Sequence, residues 1–386
     1  MPHFYFDHNA TTPVSPAVLE ALVPALGQVY GNASSIHHFG QAAKQRLEAA
    51  RRQVAALLGA DPREVVFTSG GTESDNLAIL GAVRAAPGER KHVVTSAIEH
   101  PAVLNTCAQL EREGVAVTYV PAGPDGVVDP DVVRRALRPE TVLVTVMHAN
   151  NETGAVQPLA EIASAARAAG VLVHSDGVQA VGKIPVDVTA LGVDLYSASA
   201  HKIYAPKGTG ALYVRKGTKL APTAFGGHHE RDRRPGTENV PGAVAFGAAA
   251  ELAAREWAAD AARLGALRDR LEESILARVP HACVNGRRGA RVPNTSNIRF
   301  AYIEGEALVI ALDLAGFAVS TGAACSSGAV EPSHVLLAMG LSADDARGSI
   351  RFSLGRGNTE EQVDALVEAV AQSVAHLRRV SAVTPT

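Results

Sequence analysis

Cys325 lies in "STGAACSSG" (320–328), among small and polar residues with Gly322 and Gly328 on either side. A structural cysteine usually behaves as a small buried hydrophobe, whereas this composition is that of a loop. A thiol held there is placed for chemistry, because the thiolate is a nucleophile. Cys107 and Cys283, the other two cysteines, sit in no motif and read as packing residues. Three cysteines without a C-x-x-C pair make neither a disulfide framework nor a zinc site.

Four further features fall where strands end. In "TSGGTESDN" (68–76), Gly70 and Gly71 let backbone N–H groups approach an anion, and Thr72 adds a hydroxyl at a helix start. That is a phosphate cradle without a P-loop lysine, and read alone it is equally an ordinary turn. "VLVHSDGVQ" ends an apolar run on Asp176, an acid able to pair with a cationic heterocycle or to cap the next helix. In "SASAHKIYAPKGTG", Lys202 follows an apolar run between small residues; it is a surface lysine or an amine activated by low-dielectric walls. "EHPAVL" places His100 at another run's end, solvated or functional. The combination says more than its parts. A phosphate cradle, a strand-end acid, a strand-end lysine and a stackable imidazole are what pyridoxal 5′-phosphate requires.

The elements that must position these groups are legible. Runs at 64–69, 92–98, 115–120, 141–148, 171–176, 194–200 and 210–215 read as strands, several nearly continuously apolar, as in a sheet covered on both faces. Helical patterns alternate with them. Asp129 and Pro130 open one, and Leu47, Val54, Leu57 and Leu58 share a face that Gly59 ends. This alternation implies a mainly parallel α/β sheet. After about residue 240 comes a long Ala-rich helix, then shorter mixed elements and a last helix with a Thr359/Gln362 capping box. The reading is a large domain over 15–257 and a smaller α+β domain made of 1–14 and 258–386, carrying the cysteine loop at about 320–330.

At 386 residues with a net charge of −3, the chain is not built for nucleic acid or an anionic membrane. No apolar run reaches the ~20 residues of a span, and "MPHFYFDHNATTP" has no signal-peptide pattern. The expected compartment is the cytoplasm.

The ordered motifs "FDHNATTPVSP", "GNASSIHHFG", "FTSGGTESDN", "IEHPAVL", "HANNETGAVQP", "HSDGVQAVGKIPVDV", "SASAHKIYAPKGTGALYVR", "GGHHERDRRPGTENV", "STGAACSSGAVEPSHVL" and "GSIRFSLGRGNTEEQVD" resemble those of the cysteine desulfurases. These belong to the class V aminotransferase branch of the fold-type I pyridoxal-phosphate enzymes, and the cysteine stretch is similar to that of the longer-loop, nitrogen-fixation and housekeeping iron–sulfur type. The resemblance implies the following roles. Lys202 is the Schiff-base lysine and the base at the substrate Cα, Asp176 pairs with the pyridinium nitrogen, and Gln179 bonds the phenolic oxygen. His100 stacks on the ring and is the group pictured deprotonating Cys325. Gly71, Thr72, Ser199 and His201 bind phosphate, with Thr237 reaching across from the second subunit of a homodimer. Asn151 and Arg351 hold the carboxylate of L-cysteine, and a guanidinium fork suits that geometry. Cys325 receives the sulfur as a persulfide, alanine leaves, and the sulfur passes to an acceptor protein such as an iron–sulfur scaffold. His8 and Ala200 depart from residues common in the family. A lyase acting on selenocysteine or cysteine sulfinate is the nearest alternative.

Overall fold

The computed structural model describes residues 3–286, 290–322 and 331–380. All seven expected strands form and share one sheet, in the order Val65–Thr68, Gly210–Val214, Leu195–Ser199, Leu172–Asp176, Thr141–Thr145, His92–Ser96, Ala116–Val120. The last five in that order run parallel, while Gly210–Val214 is antiparallel to both neighbours. The link from Ser199 to Gly210 is too short for the crossover a parallel return needs. Val65–Thr68 therefore points the same way as Leu195–Ser199, and their carboxyl ends share one edge of the sheet.

Alternate strand residues enter two separate apolar layers, as the period of 2 demands. Val66, Val93, Leu143, Leu195 and Leu212 pack against Leu77, Ile79, Val103 and Leu110 from the helices Gly71–Ala85 and Pro101–Arg112. Phe67, Val94, Val144, Val173, Tyr196 and Tyr213 pack on the opposite side against Leu47, Val54, Ile162 and Phe246. Cys107 is fully buried in the first layer. Cys283 is not a packing residue: it is exposed on Ala282–Val284, the edge strand of a second sheet.

That second sheet joins Ala282–Val284, Thr295–Phe300 and Ser349–Ser353, all antiparallel. Its apolar cluster includes Phe6 from the N-terminus and Val363, Leu366, Val367 and Val370 from the helix Glu360–Val380. The 39-residue helix Val240–Arg278 belongs to both cores, burying Ala243–Ala253 in the first and Leu264, Leu267, Leu271 and Ile275 in the second. Only half of the expected capping box forms: Gln362 N donates to Thr359 Oγ1, whereas the Gln362 side chain accepts from Asn358. Among the described residues no helix is long and apolar enough to cross a membrane.

Candidate active site

Parallel strands that end on one edge bring their following residues together there, which is where open α/β sheets bind ligands. Gly71, Thr72, His100, Asn151, Asp176, Gln179, Ser199, His201 and Lys202 line one cavity of about 290 Å³. Ligand pockets run from roughly 300 Å³ upward, so this one has the size for a single small heterocycle.

The cradle begins where Val65–Thr68 ends. Gly70 caps the helix Gly71–Ala85 without any side chain on the leading N–H groups, which leaves them for an anion. A Cβ at Gly210 would lie 2.6 Å from Gly70 Cα, so the cradle is seated directly on the neighbouring strand. Ser199 ends Leu195–Ser199, and His201 and Lys202 occupy the short turn that follows.

Asp176 is the last residue of its strand and is buried, with Oδ1 accepting from Val178 N at 2.9 Å. Burial raises its pKa, and His100 and Lys202 oppose that shift. A cation in the cavity would hold the carboxylate ionised. Lys202 Nζ donates to the carbonyls of Asn9 and Ala10, the latter at 2.8 Å. Burial first, and Arg351 second, lower its pKa to about 8. The amine is thus accessible near neutral pH, unlike that of a solvated lysine. His201, pushed down to about 4 chiefly by burial, is a neutral ring.

His100 caps the helix Pro101–Arg112, its Nδ1 accepting from Ala102 N at 3.1 Å. Burial lowers its pKa. A neutral ring that accepts at Nδ1 carries its proton on Nε2, so the atom left for the cavity is a donor. In this arrangement the ring is placed to stack and to donate a hydrogen bond from Nε2.

Two of the sequence-derived residues are not on that lining. Arg351 is outside the cavity lining, its Nη atoms on Asp7 Oδ1 at 2.7 Å and the Asn151 carbonyl at 3.0 Å, with Nε buried and without a partner among the described residues. Thr237 is exposed and lines a separate pocket with Glu230 and Arg234. Cys325 lies outside the described residues. Ser320, before it, bridges to Arg351; His334, after it, bonds the carbonyl of Glu99, next to His100. One flank of 323–330 thus pairs with Arg351, which bonds the Asn151 carbonyl, and the other reaches the residue next to His100.

Sequence reasoning missed the Asn9 hub. Its carbonyl accepts from Gln179 and Lys202, its Oδ1 from Lys183 and Asn294, and its Nδ2 donates to Thr295 and the Asn151 carbonyl. Asp75 and Met147 on the lining were missed too. The one available signal was Lys183 itself, a lysine among apolar residues in "VQAVGKIPV".

The donor set fits pyridoxal 5′-phosphate: Gly71, Thr72, Ser199 and His201 for the phosphate, Asp176 for the ring nitrogen and Lys202 for the aldehyde. Fold and cavity together are those of a fold-type I pyridoxal-phosphate enzyme. The pattern of the class-V aminotransferase family matches residues 4–366. A cysteine desulfurase from a Nostoc species is 51% identical over 377 residues, covering 98% of this chain and 94% of that protein. The cysteine desulfurase IscS of Anaeromyxobacter dehalogenans is 52% identical over 380 residues, with coverage of 98% and 94%. Among solved structures, a NifS-like protein aligns with TM-score 0.91 at 37% identity, covering 97% of this chain and 100% of that one. SspA in complex with cysteine aligns at 0.81 with 36% identity, covering 91% and 98%. The chain belongs to the class-V aminotransferase family and, within it, to the cysteine desulfurases.

Proposed function

We propose that the chain takes L-cysteine, leaves L-alanine and moves the sulfur to Cys325. The observation that carries this reading is the convergence of Lys202, Asp176, His100 and the Gly71/Thr72 cradle on one cavity. Pyridoxal 5′-phosphate, when bound, supplies the electron sink that makes the substrate Cα–H acidic. Lys202 Nζ takes that proton, which its lowered pKa of about 8 suits. Asp176 keeps the ring nitrogen protonated, and Gln179 bonds the phenolic oxygen. Ser199 and His201 join Gly71 and Thr72 on the phosphate. Asn151 and Arg351 hold the substrate carboxylate. His100 covers one ring face and donates from Nε2. Cys325 attacks the substrate sulfur: an S–S bond forms, the Cβ–S bond breaks, and the carbon left behind takes a proton. Cysteine plus one thiol gives alanine plus one persulfide, so no outside oxidant or reductant is required.

The working unit is a homodimer in which Thr237 serves the second copy's phosphate, since its own cavity lies elsewhere. Support comes from exposed apolar residues on Pro16–Gly27 and just beyond it, Leu19, Val23, Leu26, Tyr30 and Ile36, a face of the kind subunits cover. The large unit spans 15–257, and 1–14 with 258–386 form the small unit. The persulfide passes to an acceptor protein of iron–sulfur assembly or another sulfur-transfer route, in the cytoplasm. The test is mass spectrometry of the intact holoenzyme after brief exposure to cysteine. One added sulfur atom, lost in Cys325→Ala, is expected; alanine formed with no added sulfur would refute the carrier role.

A further inference from the structure

Lys183 is a half-buried residue whose amine the mechanism above does not use. Its Nζ donates to Asn9 Oδ1 at 2.9 Å and to Gln179 Oε1 at 2.5 Å, both neutral amide oxygens. Among the described residues it forms no ion pair with a carboxylate. A buried ammonium is costly unless something of opposite charge faces it. The neighbours make matters worse: Lys202 donates to the same Asn9, through its carbonyl, and Arg351 reaches Asn151, which Asn9 also holds.

The Gln179 amide shows where the counter-charge belongs. An amine donor can meet only Oε1, so Lys183 fixes which way that amide points. Nε2 then spends one N–H on the Asn9 carbonyl at 3.0 Å, and Gln179 lines the cavity with its second N–H unused among the described residues. We propose that Lys183 is a positioning residue of the cofactor site: it locks the Gln179 amide with an N–H toward the cavity and, protonated, is paired through that amide with an anionic ring oxygen of bound pyridoxal 5′-phosphate. This rests on the reading of Gln179 as the partner of that oxygen.

The groups facing Lys183 are Lys202, Arg351 with its partner Asp7, and the rings of His8 and His201. Burial, then Lys202 and Arg351, hold the Lys183 pKa well below that of a free lysine. His8 and His201 are themselves lowered to about 4, so neither adds charge near neutral pH. An anion beyond the Gln179 amide is then what favours the charged form of Lys183.

The test is a pH titration of the visible absorption band of the holoenzyme, with dissociation of pyridoxal 5′-phosphate measured alongside. A fixed cation opposes every proton taken up beside it. Lys183→Met should therefore move the midpoint up by about one pH unit and weaken cofactor binding about tenfold. Lys183→Arg should restore the midpoint. An unchanged midpoint in a Lys183→Met protein with native melting overturns the proposal, as does an equal shift in the Arg variant. Where Lys183→Met does not fold, Gln179→Leu stands in: the amide is the link, so an unmoved midpoint there overturns the proposal as well. Lys202→Ala separates the two readings. If it keeps the visible band, the cofactor assignment itself fails; if it loses the band while Lys183→Met leaves the midpoint in place, only the role of Lys183 does.

Discussion

Replacing Glu230 by alanine tests how the loop bearing Thr237 is held. Glu230, Arg231 and Asp232 have φ of 44°, 58° and 65°, three consecutive non-glycine residues in the left-handed region. Such residues cost about 1–3 kcal/mol each and persist only where their surroundings over-determine them. The Glu230 carboxylate is what over-determines them. It accepts from Arg51 Nη1 and Nη2, both at 2.7 Å, and from the amide of Phe67 at 2.9 Å. The two side chains are 3% and 2% exposed, and the Arg51 guanidinium lies 4.9 Å from the centre of the Phe67 ring.

Removing one partner of a buried pair costs about 3–5 kcal/mol, because the other charge is left without its match. Here Arg51 keeps the Val65 carbonyl at 2.8 Å and Glu48 at 3.1 Å, and the freed turn recovers part of its strain. The expected loss is therefore near the lower end, about 3 kcal/mol. Urea unfolding of holoenzyme and variant measures it, with limited proteolysis locating cleavage at 225–238. Asp232→Gly is the control. It relieves one strained position at the expense of an exposed contact with His228, so stability should hold or rise. A loss below about 1 kcal/mol for Glu230→Ala, against the 3–5 kcal/mol of a broken buried pair, would refute the clamp. So would a loss from Asp232→Gly as large as that from Glu230→Ala.

Two further predictions concern protons. Glu99 is buried, its Oε2 without a partner among the described residues, and burial pushes its pKa up to about 8. A raised carboxyl pKa means that stability falls as pH climbs from the unfolded value toward 8. Glu99→Gln keeps the Oε1 acceptor for Ser96 and Met147 and should flatten that decline in melts between pH 5 and 8; parallel curves would contradict it. Lys202 is shifted the opposite way, to about 8, so its free-base fraction grows as pH rises through that value. Capture of pyridoxal 5′-phosphate by apoprotein should accelerate from pH 6.5 to about 8 and then level off. A rate still climbing steeply at pH 9.5 would return Lys202 to the ordinary lysine range.

What could be read from the sequence divides along a physical line. Strands buried on both faces are continuous apolar runs, which made most of the seven legible; the edge strand Ala116–Val120, partly exposed, was legible from its β-branched residues instead. Because the residue after a parallel strand must land on the sheet's carboxyl edge, Asp176, His100 and Lys202 could be read as candidates together. The antiparallel course of Gly210–Val214 was not read, since an apolar run carries no direction; only the short link after Ser199 held that information. The Asn9 hub was illegible for another reason. Its side-chain contacts with Lys183, Asn294 and Thr295 span 174 to 286 residues of sequence, and no local pattern encodes a pairing between chain ends.

Asn9 also connects the two cores. Its amide N donates to Ser353 Oγ in the second sheet, while its carbonyl restrains Lys202 at the edge of the first. The N-terminal motif thus ties the reactive amine to the sheet that carries Arg351, the residue proposed for the substrate carboxylate. A shift of the small unit against the large one would move the amine's acceptor and the carboxylate's partner together.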